Sequence, residues 1–591
     1  MKITHERKDK IISREVEDNI SFLISDRKGG YFSQAAVWNK SFFQGSFSRL
    51  PDDEGWTLFK FIERIDIEDS NIVGIVKTDS KIIIRTEEGK LSIFFDEQGR
   101  INLENDTSKR IMINFDARKI YDFSDFEREY RFEDDNDGTI VTYYKKSNGG
   151  EDYTLFLGIK GYEKIEKKEE WIRRHYDFDA SRSGNGERYV FGGVALSGKK
   201  IVIAQHYDKE SLQKLLEKRS DGTEINEAAL DENQMDDSTY IAYKCTVDSS
   251  SDLIVGEEGI YAGFYWFFHF WTRDESISLG GLEKEDEDIV DTVLERLFSQ
   301  VLEDGRLPNR HPHSELGSSD GIGWASLRFA QHAEKMDDNK RDEIVSQMKK
   351  SCERLLEHHT EDSFDINGKK ETWMDTTGTT EDFREGARIE MQALRLRMYD
   401  TLYQHTGEEK YKELMNELKE KMNKEFLEEN MIADGIIKRG DSWEKDMTVR
   451  PNIFLAYYIF PEMFSSDVWK RSFDEALEKL WLSWGGLATI DKNHMWFKGY
   501  YTGDNDESYH RGDSWYFVNN IAAIAMHRLD RDRYDSYISG ILEASKEDIL
   551  WKGIIGGASE ISSANEQRAE GTWQQAWSSC TLIELIHELY G

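Results

Sequence analysis

The hydrophobic period of this chain changes once along its length, and that change limits what it can fold into. Up to about residue 245 apolar residues recur mostly at every second position, in short β-branched runs such as Asn71–Lys77, Lys81–Arg85, Lys90–Phe95, Thr139–Tyr144, Tyr153–Ile159, Lys200–Ala204 and Tyr240–Val247. Turn sequences rich in Gly, Asn and Asp separate them, at 87–90, 134–138, 147–150 and 183–186. No strand-helix-strand alternation interrupts this half, apart from one helical stretch at Lys209–Lys218. The pattern predicts an antiparallel β-sandwich. After about residue 257 the spacing becomes helical. Amphipathic helices are expected near Phe264–Leu279 and at Asp288–Leu302, Ile322–Glu334, Arg341–His358, Ala387–His405, Glu409–Glu425, Ile453–Phe464, Phe473–Ser483, Trp515–Leu529, Tyr534–Glu547 and Trp573–Tyr590. Most are joined in pairs by short loops, no solenoid repeat recurs, and the loops rich in Trp, Asp and Gly fall at every second connection. That arrangement suits a closed toroid with a functional rim. The expected fold is an α+β multidomain chain, with a β-sandwich over residues 1–245 and an (α/α)6 barrel over 246–591; 591 residues exceed one ordinary core.

Charge narrows the partners. A formal net charge of −37 repels nucleic acid and anionic membrane alike, so a neutral substrate fits best. The same charge suits a solvated surface or a salt-rich milieu that screens self-repulsion. Sixteen Trp and 26 Tyr are many; such rings can fill a core, and they also stack on the apolar C–H face of a pyranose. Cys245, Cys352 and Cys580 form neither a disulfide framework nor a zinc motif. The polar first residues carry no secretory segment, and the apolar run around Tyr261–Trp271 is too short to span a bilayer. A cytoplasmic protein is the expectation.

Hydrolysing a glycosidic bond takes one carboxylic acid to protonate the leaving oxygen and a second carboxylate to activate water or attack the sugar. With 115 Asp and Glu residues a lone carboxylate says nothing, so the informative ones sit in loops crowded with Trp and Gly. Asp375 lies beside Trp373 and Met374, a setting that disfavours ionisation, although Asp is also a common helix N-cap. Glu560 follows Gly556 and Gly557 and precedes a helix with Trp573 and Trp577 on one face, yet it also fits a surface loop. Three further loops offer substrate-positioning groups: Trp271 with Arg273 and Asp274; Asn309 and Arg310, followed by Asp320 and Trp324; and Tyr509 and His510 with Trp515.

Other chemistries lack their residues. There is no His-Glu-x-x-His, Walker or Gly-x-Ser-x-Gly motif, Gly184-Asn185-Gly186 is a turn, and His311-Pro312-His313 lacks a third metal ligand nearby. No cofactor and no metal are expected.

The second half resembles the amylo-α-1,6-glucosidase domain of glycogen debranching enzymes, a family related in fold to glucoamylases. The resemblance runs over about 257–591 and rests on an ordered set of segments. These are Tyr261–Phe264 with Trp271–Asp274, Gly305–Arg310, Asp320 with Trp324, Thr372–Asp375, Arg388–Leu394, Arg450–Asn452, Tyr509–Trp515, and Ser559-Glu560 leading to Gln575–Ser578. Ser25–Tyr31 looks more loosely like the start of the family's N-terminal β domain. The resemblance implies an inverting exo-glucosidase on an (α/α)6 barrel, with Asp375 as general acid and Glu560 as general base. Arg273 and Asp274 would grip the terminal glucose, and Arg388 and Glu390 join the site by their place in the matched segments. The implied partner is α-glucan, glycogen or a branched malto-oligosaccharide, cut at single-glucose α-1,6 stubs and without transferase activity. Two departures bear on linkage: residues 379–386 lack the family's usual Thr-Pro-Arg, and Ile453 follows Arg450-Pro451-Asn452. A glucoamylase-like α-1,4 exo-glucosidase and a non-catalytic glucan-binding protein are the alternatives.

Overall fold

A computed structural model describes residues 1–51, 55–135, 137–146, 151–182, 184–219, 229–312, 314 and 316–591. The turn expected at 147–150 and His313 lie outside the described residues, as do single positions of the turns at 134–138 and 183–186. The chain divides into two compact units. The first comprises Met1–Glu227, Asp236–Gly256 and Leu550–Gly556, the second Ala228–Met235, Glu257–Ile549 and Gly557–Gly591.

The first unit is built on two large sheets. The ten-stranded sheet runs in the order 128–135, 138–145, 153–160, 200–206, 101–105, 89–95, 82–86, 72–77, 2–7, 10–15. Every neighbouring pair in it is antiparallel except Lys2–Arg7 with Ile72–Lys77. The seven-stranded sheet is antiparallel throughout, in the order 164–175, 187–197, 111–119, 57–67, 45–50, 31–35, 21–25. Alternation does the folding: Ile82, Ile84, Leu91, Ile93, Ile111 and Ile113 are all buried at every second position. Each such side chain contributes about 1.5–3 kcal/mol on leaving water. Phe61 and Phe115 of one sheet and Val141 and Leu155 of the other line a common small void, so the two inner faces meet. Short helix α1 (Asp177–Ser181) and helix α2 (Lys209–Glu217) are inserted late, and Asp208 caps α2 by accepting from the Ser211 N–H.

One expected strand is a helix. Tyr240–Val247 lies inside α3 (Asp237–Asp252), where every residue from Thr239 to Ser250 is buried. A helix buried all round has no polar face to reveal its period, and its β-branched residues imitate a strand. The signal that could have corrected the reading is Asp236, whose carboxylate accepts from the Thr239 N–H as an N-cap.

The second unit is helical: α4 (Thr272–Glu285), α5 (Glu287–Ser299), α6 (Gly321–His332), α7 (Asp338–His358), α8 (Ile389–Thr406), α9 (Glu409–Glu425), α10 (Asn452–Ile459), α11 (Ser466–Leu480), α12 (Tyr516–Trp551) and α13 (Ala576–Tyr590). The two helices expected at 515–529 and 534–547 run on as α12, broken where Asp530 leaves helical dihedrals (φ −167°, ψ 85°). Helix α13 packs on α4, α4 on α6, α6 on α8 and α8 on α10. Asn520 of α12 donates to the Ser578 carbonyl of α13. Helix α5 packs on α4 and α7, α7 on α8, α9 on α8 and α11 on α10. Among the described residues no helix is long and apolar enough to cross a membrane.

Short ladders pin the loops that enter alternate helices. Phe270-Trp271 pairs with Arg310-His311 just before α4, Ala387-Arg388 with Gly435-Ile436 before α8, Ser514-Trp515 with Ile561-Ser562 before α12, and Gly263-Phe264 with Gln574-Gln575 before α13. Each ladder holds its side chains at a helix N-terminus.

Candidate active site

The starts of α4, α12 and α13 converge on an open cleft of about 510 Å³, within the range of small-molecule sites. Apolar walls come from Ala262, Phe267, Trp271, Trp373, Trp515 and Trp577, polar ones from Arg273, Asp274, Asp375, Tyr509, Glu560 and Gln575. Asp375 and Glu560 thus line the same cleft although they come from distant loops.

Asp375 is the more open of the two, its side chain 44% exposed. Burial of the cleft walls, joined by repulsion from Asp320 and Asp506, pushes its carboxyl up to about 6 against the pull of Arg273. The Arg273 guanidinium stands 3.6 Å away and is itself fixed by Asp320, which accepts from Arg273 Nε at 2.6 Å and from the Ser318 hydroxyl at 2.9 Å. Asp375 therefore carries its proton further toward neutrality than an ordinary aspartate.

Glu560 is 2% exposed and pinned at both oxygens. The Tyr509 hydroxyl donates to Oε1 and the Thr572 N–H to Oε2, the latter at 2.8 Å. Gly571 makes this approach possible: its φ of +64° lies in the left-handed region, and a Cβ there would stand 3.0 Å from Cδ of Glu560. Asp274, beside Arg273 at the start of α4, accepts from Gln575 Nε2 at 2.9 Å. Burial and the nearby Glu560 push its carboxyl up to about 8 despite Arg273.

The rings form one continuous set. Trp373 meets His510 at 5.4 Å and Trp515 at 5.5 Å, both edge-on; His510 stacks on Trp515 at 5.0 Å, and Trp515 meets Trp577 at 5.7 Å. The Trp515 indole donates to the Tyr509 carbonyl at 2.7 Å. Burial beside Arg511 drives His510 well below its usual value, so it is neutral. Its Nδ1 accepts from the Thr376 N–H at 3.4 Å and faces the Thr376 hydroxyl at 2.8 Å, which steadies the residue after Asp375. His510 supports the cleft wall from behind.

Several expected contacts lie elsewhere. Arg388 and Glu390 do not line the cleft: both are 2% exposed, Arg388 bonding Asp446 at 2.7 Å and Asp434 at 3.4 Å, Glu390 held by Arg384 at 2.9 Å. Two charges at a helix start resemble ligand-gripping groups in sequence, but here each is taken up by a different buried partner. Asn309 contributes backbone, its carbonyl accepting from the Thr272 N–H at 3.1 Å, and Arg310 occupies the strand beside Trp271. Neither lines the cleft, and Asp320 reaches it through Arg273.

Sequence reading passed over the group that sets the acid loop. Asn452, at the start of α10, accepts from the Trp373 indole at 2.8 Å, donates toward the Met374 sulfur at 3.5 Å and donates to Asp434 at 2.7 Å. Asp434 also meets Arg384 and Arg450. Arg384, from the segment that departs from the family pattern, donates to the Thr372 hydroxyl at 2.9 Å. The Arg-Pro-Asn triplet was the available signal for Asn452 and the matched Gln575–Ser578 segment for Gln575, while nothing local marked Asp434. Among the described residues no group of three or more His, Cys, Asp or Glu is placed to hold a metal; His311 stacks on Phe270 at 6.0 Å.

A family model described as amylo-alpha-1,6-glucosidase matches residues 245–584. Among solved structures, a bacterial glucoamylase complexed with acarbose superposes over 97% of this chain and 95% of its own, with TM-score 0.60 and 10% identity. A GH63 mannosylglycerate hydrolase from Thermus thermophilus, in complex with glucose, covers 58% of this chain and 99% of its own, with TM-score 0.44 and 13% identity. The fold is thus glucoamylase-like, a large antiparallel-rich sheet region followed by a helical one.

Proposed function

From the premise that this chain belongs to the amylo-alpha-1,6-glucosidase family and is a glycoside hydrolase, we propose that it releases single glucose units from α-1,6 branch stubs of glycogen or branched malto-oligosaccharide, in the cytoplasm, with inversion. The observation that carries the reading is two carboxyl groups in different settings on one cleft. Asp375 is held toward its protonated form, while Glu560 accepts hydrogen bonds from Tyr509 and Thr572, one at each oxygen. In a single displacement Asp375 protonates the glycosidic oxygen as the bond to the anomeric carbon breaks. Glu560 meanwhile takes a proton from a water attacking the opposite face of the ring, and β-glucose leaves. That chemistry needs the carboxyl groups about 6.5–9.5 Å apart, with room for the water.

The bound glucose would stack on the Trp271, Trp515 and Trp577 walls, with Arg273 and Asp274 meeting its outer hydroxyls. Helices α4, α6, α8, α10, the first arm of α12 and α13 would form the inner ring of an (α/α)6 barrel. The chain of helix contacts supports this, since α13 returns to α4. The two facing sheets would make the preceding sandwich. A glucoamylase-like exo-α-1,4 specificity is the second reading, supported by the fold shared with the bacterial glucoamylase. Proton NMR of the first glucose released from an isomaltose-type stub and from maltose tests both points. β-Glucose with preference for the α-1,6 bond is expected; α-glucose would end the inverting mechanism, and preference for maltose would favour the second reading.

A further inference from the structure

A second cavity lies wholly within the first unit, open and about 1030 Å³ in volume. Its wall includes Ser25, Asp26, Arg27 and Lys28, the opening of the Ser25–Tyr31 segment that the cleft leaves unused. Lys77 lines it from the end of strand Ile72–Lys77. That side chain is 4% exposed, and its ammonium has no hydrogen-bond partner. Around it the other charges are largely committed. Arg7 takes Asp248 at 2.9 Å and Asp79 at 3.3 Å, Arg100 takes Asp96 at 2.9 Å, and Lys81 takes Glu104 at 3.0 Å. Asp252 accepts from the Ser25 hydroxyl at 2.9 Å through one oxygen, and Asp26 uses one oxygen on the Lys28 and Gly30 N–H groups at 2.8 Å each. Burial raises the carboxyls of both Asp26 and Asp252.

The ligand must therefore meet two demands at once. A buried ammonium needs an acceptor, since leaving it unsatisfied costs about 1–3 kcal/mol or more. The half-used carboxyls nearby need donors. Phosphate would serve Lys77 but crowd its negative charge against a wall richer in carboxylates than in cations. A divalent cation would serve the carboxylates but stand beside the ammonium. A neutral molecule bearing several hydroxyl groups accepts from the one and donates to the others, and its apolar face can rest on Phe95. We propose that this cavity is a second, non-catalytic saccharide site in the β unit, with Lys77 and Asp252 as its hydroxyl-binding pair and Asp26 beside them.

Hydrogen exchange of the full chain tests this, because it reports where a ligand binds without depending on turnover. D-Glucose and β-cyclodextrin, which has no chain end to hydrolyse, are added separately, with inorganic phosphate and calcium as comparison arms. Slowed exchange in segments 23–28 and 77–82 with glucose identifies a free monosaccharide site, and with cyclodextrin alone a glucan-chain site. Either supports the proposal if the protection disappears in Lys77→Met and weakens in Asp252→Asn while glucose release is unchanged. Should Lys77→Met unfold, Asp252→Asn carries the comparison. No saccharide protection in the wild-type chain, protection equal in the variants, or protection by phosphate or calcium instead would overturn it.

Discussion

Replacing Gly571 by Ala probes the proposed base without touching its carboxylate. At φ +64° an L side chain costs about 1–2 kcal/mol. The added Cβ would stand 3.0 Å from Cδ of Glu560 and overlap Oε2, whereas carbon atoms settle at about 3.5–4.0 Å. Glu560 must then retreat by roughly 0.5–1 Å, because the other side of the contact is backbone tied by the Glu560 N–H to the Thr572 carbonyl at 2.8 Å. That retreat also lengthens the bond from the Thr572 N–H. A misplacement of about 1 Å in a reacting group costs about 10²-fold in rate. Gly571→Ala should therefore lower kcat about 10²-fold with KM little changed, while the melting temperature falls by only about 2–4 °C or less. Initial rates of glucose release and a thermal melt measure both. A kcat within threefold or so of wild type, in a protein that melts normally, would refute the claim that Glu560 works from this pinned position.

Three further outcomes follow from the same geometry. Asp375→Asn and Glu560→Gln should each lower kcat by about 10²–10⁴-fold while leaving the melt nearly unchanged, measured by glucose release and calorimetry. The pH profile of kcat/KM should fall on its alkaline side from about pH 6, because Asp375 must hold its proton and burial sets that value. The linkage has the same sign: a carboxyl raised on folding adds stability below its unfolded value near 3.8, and loses it as pH rises through about 6. Asn452→Ala should destabilise the chain by about 1–3 kcal/mol by stranding the Trp373 indole and taking one donor from Asp434, and lower kcat more than it raises KM, read from denaturant melts and steady-state kinetics.

What the sequence determined by itself is what short-range patterning can encode. Period two against period 3.6 separated a sheet-building half from a helical one, because each period places apolar atoms on one face of a local element. Loops carrying Trp373 with Asp375, and Gly556-Gly557 before Glu560, stood out because Trp and Gly crowd around the carboxylates, although a helix cap and a surface loop fitted them too. Tertiary structure decided the rest. Helix α3 passed for a strand because burial on all sides erased its period. Arg388 and Glu390 looked like ligand-binding groups until Asp434, Asp446 and Arg384 took up their charge. The bonds that tune the cleft, Tyr509 to Glu560 and Gln575 to Asp274, join residues 51 and 301 positions apart. Burial that lifts Asp375 and leaves Lys77 without an acceptor is likewise assembled from distant segments. Charge and burial act through space over a few ångströms, and only the folded chain says which distant residues occupy that space.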